Sequence, residues 1–224
     1  MPRTRIGGVG TCTVWWAAPV APSGAPGLVG LLDAHERERL ARFRREGDAA
    51  RYLAAHALTR RALGERLDAD PAALVFDRTC RCGEQHGKPR LAQGPGFSFT
   101  HAGDVVGLAV HDGPVGLDVE QARPLTDLAG MAEHACAPDE RVTDTGEFFR
   151  LWTRKEALLK STGEGLSTPM ADISIAADGA VRWGGRAVWL LDLSPAPGYP
   201  AALAGPGPAP PAVIEADGHA LLRP

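Results

Sequence analysis

The run Phe148–Lys160 limits this chain more than any other. Wound as a helix at about 100° per residue, it gathers Phe148, Leu151, Trp152, Leu158 and Leu159 on one broad apolar face, and Lys155 falls inside that face. Glu156 lies on its flank, with Lys160 one turn later beside it. A lysine in an apolar stripe is costly unless it is paired. Two readings stay open: a core helix whose Lys and Glu reach water or bridge to each other, or a site set along a tryptophan-bearing face.

Around that helix the punctuation predicts short elements. Thr11–Trp16 reads as a first strand, followed by a Pro/Gly-rich loop to Gly30. Asp33 is an N-cap for a helix over 34–46, and after an interruption at Gly47, Asp48 caps a second helix to Leu67. Ala73–Phe76, Phe97–His101, Val105–Val110 and Val115–Glu120 read as short strands bounded by Gly, Pro and Asp. A helical region follows over 126–161, broken near Pro138 and Gly146, and short strands at 172–176, 180–183, 187–191, 200–204 and 212–215 close the chain. The class is α+β, with each half giving helices followed by a few antiparallel strands, as in two related halves.

In Val115–Glu120, strand alternation turns Leu117 and Val119 one way and Asp118 and Glu120 the other. Two carboxylates on one face repel unless something positive sits there. Mg²⁺ suits them, since it takes oxygen ligands from one or two carboxylates and substrate phosphates; the alternative is an exposed face at a sheet end. Downstream of Gly87-Lys88-Pro89, His101 ends a strand before a Gly turn, where its imidazole either meets an anion or is structural.

Charge narrows the function classes. The chain of 224 residues carries a formal net charge of −3, which speaks against a protein built mainly to coat nucleic acid. Yet His35–Arg66 holds nine arginines (37, 39, 42, 44, 45, 51, 60, 61 and 66) against five acids, a distribution that suits an anionic ligand. The whole chain's only lysines are Lys88, Lys155 and Lys160, beside 21 arginines, which marks those three as places where a compact point charge is wanted. No apolar run reaches membrane-spanning length and no signal-peptide pattern follows Arg3 and Arg5, so a cytoplasmic location and no membrane partner are expected. Cys12 and Cys136 read as reduced thiols; Cys80, Cys82 and His86 read as a polar turn or a metal loop that lacks a convincing fourth ligand.

Taken in order and spacing, these stretches resemble the 4′-phosphopantetheinyl transferase superfamily in its long, monomeric, Sfp-type branch. The family's Gly-x-Asp-x-Glu strand stands here as Gly116–Glu120 and its Trp-x-x-Lys-Glu-Ala-x-x-Lys helix as Trp152–Lys160, while Gly87-Lys88-Pro89, the Phe-x-x-x-His segment and the helix around Arg51 also fit. The resemblance covers roughly residues 32–176. It implies an enzyme that moves the phosphopantetheine arm of coenzyme A onto a serine hydroxyl of apo acyl or peptidyl carrier proteins, releasing 3′,5′-ADP, with Mg²⁺ as cofactor and Mn²⁺ able to substitute. Service to polyketide or nonribosomal peptide synthesis is expected, as is a monomer with no nucleic-acid partner.

The resemblance further implies a pseudo-twofold pair of similar α+β halves, residues 1–111 (basic, binding coenzyme A phosphates) and 112–224 (metal-binding carboxylates), with the active site at their junction. Asp118, Glu120 and Glu156 match the metal ligands. Arg51, Lys88 and His101 match residues that hold the nucleotide's phosphates. Lys160 matches the lysine near the pyrophosphate, and Lys155 a lysine that is structural or phosphate-directed. Glu140 aligns with a proposed base for the serine, a metal-bound water near Glu120 being the alternative. Apolar residues after Thr126, such as Leu128 and Met131, are expected to offer the carrier's docking face. The common Ser-His-Ser appears as Thr100-His101-Ala102, which removes one hydroxyl from the phosphate site. Two rivals remain: metal-dependent hydrolysis of a nucleotide pyrophosphate, and nucleic-acid binding by the basic helices.

Overall fold

A computed structural model describes residues 10–80, 83–85, 87–163, 165 and 168–223. The chain divides into two compact units, one running up to Asp112 and taking in the segment from Pro211 on, the other Gly113–Pro210. Both are mixed α and β, as expected.

In the first unit β1 (Thr11–Ala17) lies between β3 (Val105–His111), antiparallel to it, and β9 (Ala212–Asp217), parallel to it, while β2 (Gly96–Ala102) pairs with β3 on the outside. This corrects the assignment of 212–215 to the second half. Cys12 faces Val213 and Trp15 faces Ala216 across the parallel ladder, and Trp16 Nε1 donates to Glu215 Oε2 at 2.7 Å. Three helices back this sheet: α1 (Pro26–Leu31), α2 (Ala34–Ala41) and α3 (Glu46–Leu67). The core between them collects Trp15, Leu28, Leu53, Leu58, Leu63, Val106 and Leu108.

Asp33 caps α2 as expected, and the cap is reciprocal: Asp33 Oδ1 accepts from Glu36 N–H at 2.8 Å and Glu36 Oε2 from Asp33 N–H at 3.1 Å. Three local expectations fail. The Pro/Gly loop contains α1, because Pro26 sits at the first helical position and Leu28 is buried. Gly47 does not interrupt α3, which starts at Glu46 and ends only where Asp68 turns left-handed (φ 51°). Ala73–Phe76 is not a strand: Asp70 caps a 3₁₀ turn at Pro71–Ala73, and among the described residues the ladder contact nearby is a single bridge of Asp77 with Arg90.

A fully buried Arg60 holds α2 on α3. Its guanidinium donates to Glu36 Oε2 (2.7 Å), Asp33 Oδ2 (2.8 Å) and the carbonyls of Pro71 and Leu74 (3.0 Å each), while Arg78 and His56 also bond Glu36. Burial alone would raise the Glu36 carboxyl, but His56 and Arg60 overcome it and hold the pKa at about 2. Part of the arginine run is therefore scaffold.

In the second unit β4 (Gly116–Val119), β8 (Tyr199–Pro206) and β7 (Val188–Ala196) form an antiparallel sheet in that order, and β5 (Ser174–Ile175) pairs with β6 (Val181–Arg182). The expected helical region resolves into α4 (Leu128–Ala135) and α5 (Thr145–Thr162), each N-capped by an aspartate, Asp127 and Asp144. The apolar face of α5 meets two clusters: Leu158 and Leu159 pack with Ile173, Trp183 and Ala202, while Phe148 and Phe149 pack with Ala135, Leu128 and Met131.

Candidate active site

On β4 both faces are covered. Leu117 and Val119 are fully buried and Asp118 is only 5% exposed, so the exposed-face reading does not hold. Gly116 explains how a helix can lie so close. A Cβ there would run into the Ala157 carbonyl oxygen and stand 2.5 Å from the Ser161 nitrogen, so α5 rests on bare strand backbone. Two residues along the strand, Asp118 Oδ1 accepts from Lys160 Nζ at 2.6 Å, and the same ammonium reaches the Leu117 carbonyl at 3.3 Å.

Glu120 and Glu156 share this neighbourhood. Burial first, and then the charge of Asp118, raise the carboxyl of Glu120, against the pull of Arg123 and Lys160. Burial likewise raises Glu156, with Lys160 opposing and Asp118 reinforcing it. Arg123 lies 3.6 Å from Glu120 Oε2 and its guanidinium stacks 5.0 Å from the Phe149 ring centre. Sequence reasoning passed over Arg123, although its place three residues after Glu120 was the available signal.

Three carboxylates form an all-oxygen donor set of the kind a hard divalent cation takes, so their chemistry fits Mg²⁺. Among the described residues no group of three His, Cys, Asp or Glu side chains is positioned to hold a metal ion. The three are neighbours through charge rather than a finished ligand shell, with Lys160 supplying the nearby positive charge.

Lys155 takes the structural one of its two expected roles, and Glu140 is its partner. Lys155 is fully buried; its Nζ is ion-paired with Glu140 Oε2 and donates to the carbonyls of Ala135 (2.7 Å) and Met170 (3.2 Å). Burial draws its ammonium below the ordinary lysine value, while Glu140 opposes that shift. Glu140, 7% exposed, also accepts from Ala137 N–H and Ile175 N–H, both at 2.7 Å. A carboxylate tied to three donors is poorly placed to take a serine proton, and a lysine with three acceptors and no exposure cannot reach a phosphate. The pair ties α5 to the Ala135–Glu140 segment and β5. Lys155 thus satisfies the bridged-core reading of the helix, although its partner is Glu140 and not Glu156.

Leu128 and Met131 are half-buried against Phe148 and Phe149, so part of each side chain seats α4. In the first unit, Arg51 pairs with Asp48 and donates to the Gly103 carbonyl at 3.1 Å, in the β2–β3 turn just after an exposed His101. Arg51 and His101 therefore share one end of that unit. Lys88 is half-buried near the Asp77–Arg90 bridge. Of the Cys80–His86 loop, Cys82 and His86 lie outside the described residues; Cys80 is half-buried. A cleft of about 350 Å³, unforeseen from sequence, is lined by His35, Glu38, Arg39, Arg42, Phe43 and Gln85. Among the described residues no helix is long and apolar enough to cross a membrane.

Comparison with known proteins points one way. A family model described as the 4′-phosphopantetheinyl transferase superfamily matches residues 114–194, which include the Asp118, Glu120 and Glu156 positions. A 4′-phosphopantetheinyl transferase of Bacillus subtilis is 30% identical over 176 residues, covering 72% of this chain and 74% of the relative. The 4′-phosphopantetheinyl transferase psf-1 of Bacillus pumilus is 37% identical over 142 residues, 59% of this chain and 58% of the relative. The 4′-phosphopantetheinyl transferase Sfp of Bacillus subtilis strain 168 is 26% identical over 156 residues, 66% and 67% of the two chains.

Proposed function

The chain belongs to the 4′-phosphopantetheinyl transferase superfamily, and from that premise we propose that it transfers the phosphopantetheine arm of coenzyme A to a serine of apo acyl or peptidyl carrier proteins. The observation that carries this reading is the charge cluster of Asp118, Glu120, Glu156 and Lys160 at the β4–α5 seam, inside the matched segment.

In the proposed reaction the serine oxygen bonds to the phosphorus that bears the pantetheine arm. The bond from that phosphorus to the bridging oxygen breaks, and 3′,5′-ADP leaves. Such a transfer needs positioning and charge neutralisation more than covalent chemistry from the protein. Asp118, Glu120 and Glu156 are the residues that would hold Mg²⁺, which supplies charge neutralisation on the pyrophosphate. Lys160 is the nearby cation that meets the charge growing on the departing phosphate. With Glu140 committed to Lys155, a water beside the half-exposed Glu120 is the better candidate to accept the serine proton.

Arg51, Lys88 and His101 remain the proposed holders of the nucleotide's phosphates, and the arginine-lined cleft beside Phe43 suits a phosphorylated nucleotide. For one coenzyme A to use both sets, the proposed pseudo-twofold pairing of the halves has to bring them to a common ligand. We further propose a monomer acting in the cytoplasm on carrier domains of polyketide or nonribosomal peptide synthesis.

Intact-protein mass spectrometry of an apo peptidyl carrier domain, incubated with this protein, coenzyme A and Mg²⁺, tests the reading. The expected result is a gain of one phosphopantetheine arm that disappears with EDTA. No gain on either peptidyl or acyl carriers refutes it, and release of 3′,5′-ADP without any acceptor protein would favour hydrolysis.

A further inference from the structure

The β4–α5 seam carries a close backbone approach that none of Asp118, Glu156 and Lys160 makes. Gly116 of β4 faces α5, and the atoms that a Cβ there would strike are the Ala157 carbonyl oxygen, the Ser161 nitrogen at 2.5 Å and the Ala157 carbonyl carbon at 3.0 Å. All are backbone atoms of a regular helix, so no side-chain rotation can relieve the collision. Ala157 directly follows Glu156, and Ser161 directly follows Lys160. On the other side of the seam, Gly116 precedes Asp118 by two residues on a buried strand whose partner, Ala204 of β8, is itself fully buried. The strand therefore cannot retreat when α5 is pushed.

We propose that Gly116 is a positioning residue that sets the distance between Asp118 on β4 and the Glu156–Lys160 turn of α5. A side chain at residue 116 lifts the helix at the two points where Glu156 and Lys160 are rooted. The 2.6 Å bond from Lys160 Nζ to Asp118 Oδ1 then lengthens, and Glu156, one turn earlier on the same helix, moves with it. A displacement on the order of 1 Å is enough to cost about 10²-fold in rate when charged groups must converge on one reacting centre.

Gly205 of β8 provides a matched control. A Cβ there meets the Trp189 ring, with Cε2 at 2.7 Å, and the Pro114 carbonyl oxygen at 3.0 Å. Gly205→Ala thus strains the same sheet without touching the helix atoms beside Glu156 and Lys160. The inference rests on the transferase reading, and wild-type transfer to a carrier domain is measured alongside to keep the two apart.

The test compares Gly116→Ala and Gly205→Ala by two readouts: transfer rate as a function of Mg²⁺ concentration, and the shift in melting temperature that Mg²⁺ alone produces without coenzyme A. Gly116→Ala is expected to lose about 10²-fold in kcat, to need more Mg²⁺ for half-maximal rate and to lose the Mg²⁺-induced shift in melting temperature. Gly205→Ala is expected to melt lower yet keep the wild-type Mg²⁺ response. Equal Mg²⁺ responses in the two variants overturn the proposal while leaving the transferase reading intact; absence of transfer in the wild type strikes the reading instead. Should Gly116→Ala not fold, Glu156→Asp decides, because it draws the carboxylate back by one methylene without entering the seam. A lost Mg²⁺ shift in melting temperature supports the narrow spacing, and a wild-type shift removes it.

Discussion

Replacing Lys155 with methionine asks whether that lysine serves phosphate or fold. Methionine keeps most of the volume and flexibility of the stem, so the packing of α5 is largely preserved and the charge is what is lost. Glu140 then remains 7% exposed, with its two backbone N–H bonds from Ala137 and Ile175 but without a cation, and the carbonyls of Ala135 and Met170 lose their donor. Removing one partner of a buried ion pair costs about 3–5 kcal/mol. At a urea m-value of about 2 kcal/mol/M, the unfolding midpoint should fall on the order of 2 M.

Trp152, Trp183 and Trp189 all lie in the unit that contains the pair, so urea unfolding followed by tryptophan fluorescence reports on it. Adding Glu140→Leu should recover only part of the loss, because the Ala137 and Ile175 N–H groups are left unpaired at about 1–3 kcal/mol each. The double variant should nonetheless cost less than the sum of the single ones by on the order of 2 kcal/mol. If Lys155→Met stays within about 1 kcal/mol of wild type and instead raises KM for coenzyme A, the lysine is a phosphate ligand and the structural assignment is wrong.

Three further outcomes are expected. Glu156→Gln should keep the circular dichroism spectrum and melting behaviour of the wild type while losing about 10²-fold or more in transfer rate; near-normal turnover would remove Glu156 from the site. Leu128→Asp and Met131→Asp should destabilise the second unit by about 2–3 kcal/mol, read by the same urea titration, because both side chains pack on Phe148 and Phe149; unchanged stability with weakened carrier binding would restore them to a docking face. The first unit should lose stability in acid in two stages. Burial holds His56 below its ordinary 6.5, so the unfolded chain takes up that proton first and stability falls as pH drops through that value. Glu36, held at about 2 against an ordinary 4.5, contributes about 3 kcal/mol that is present above pH 4.5 and lost between 4.5 and 2. Guanidinium titrations at pH 7, 5 and 3 check this, and Glu36→Gln should flatten the lower stage; a profile unchanged by that substitution refutes the assignment.

Legibility from sequence followed the range of the interactions concerned. The α5 stripe and the alternation in β4 are local patterns, so the helix, the strand and the Glu156–Lys160 neighbourhood could be read from spacing, whereas the approach of Asp118, 42 residues before Lys160, followed only from the family resemblance. Asp33 announced its helix because a capping box is contained within four residues. What failed was non-local. Lys155 and Glu140 are 15 residues apart, and nothing in either flank shows that each is the other's partner. The burial of Arg60 depends on Glu36, Asp33 and two carbonyls from the Pro71–Leu74 segment, so a count of arginines could not separate scaffold from surface. The glycines of α1 lowered its apparent helicity although Pro26 and buried Leu28 were sufficient to form it.

The parallel pairing of β9 with β1 also has a consequence for how the polypeptide matures. Its two strands are separated by nearly the whole chain, with Thr11 opposite Ala212 and Trp16 opposite Asp217. During synthesis the continuous unit Gly113–Pro210 is complete before the last strand of the earlier unit has been made. The N-terminal sheet must therefore wait, with the β1 edge lacking its outer neighbour, until residues 212–217 emerge. Order of translation and order of completion are inverted: the half that begins first finishes last, and exposure of an open strand edge in the nascent chain is built into this topology.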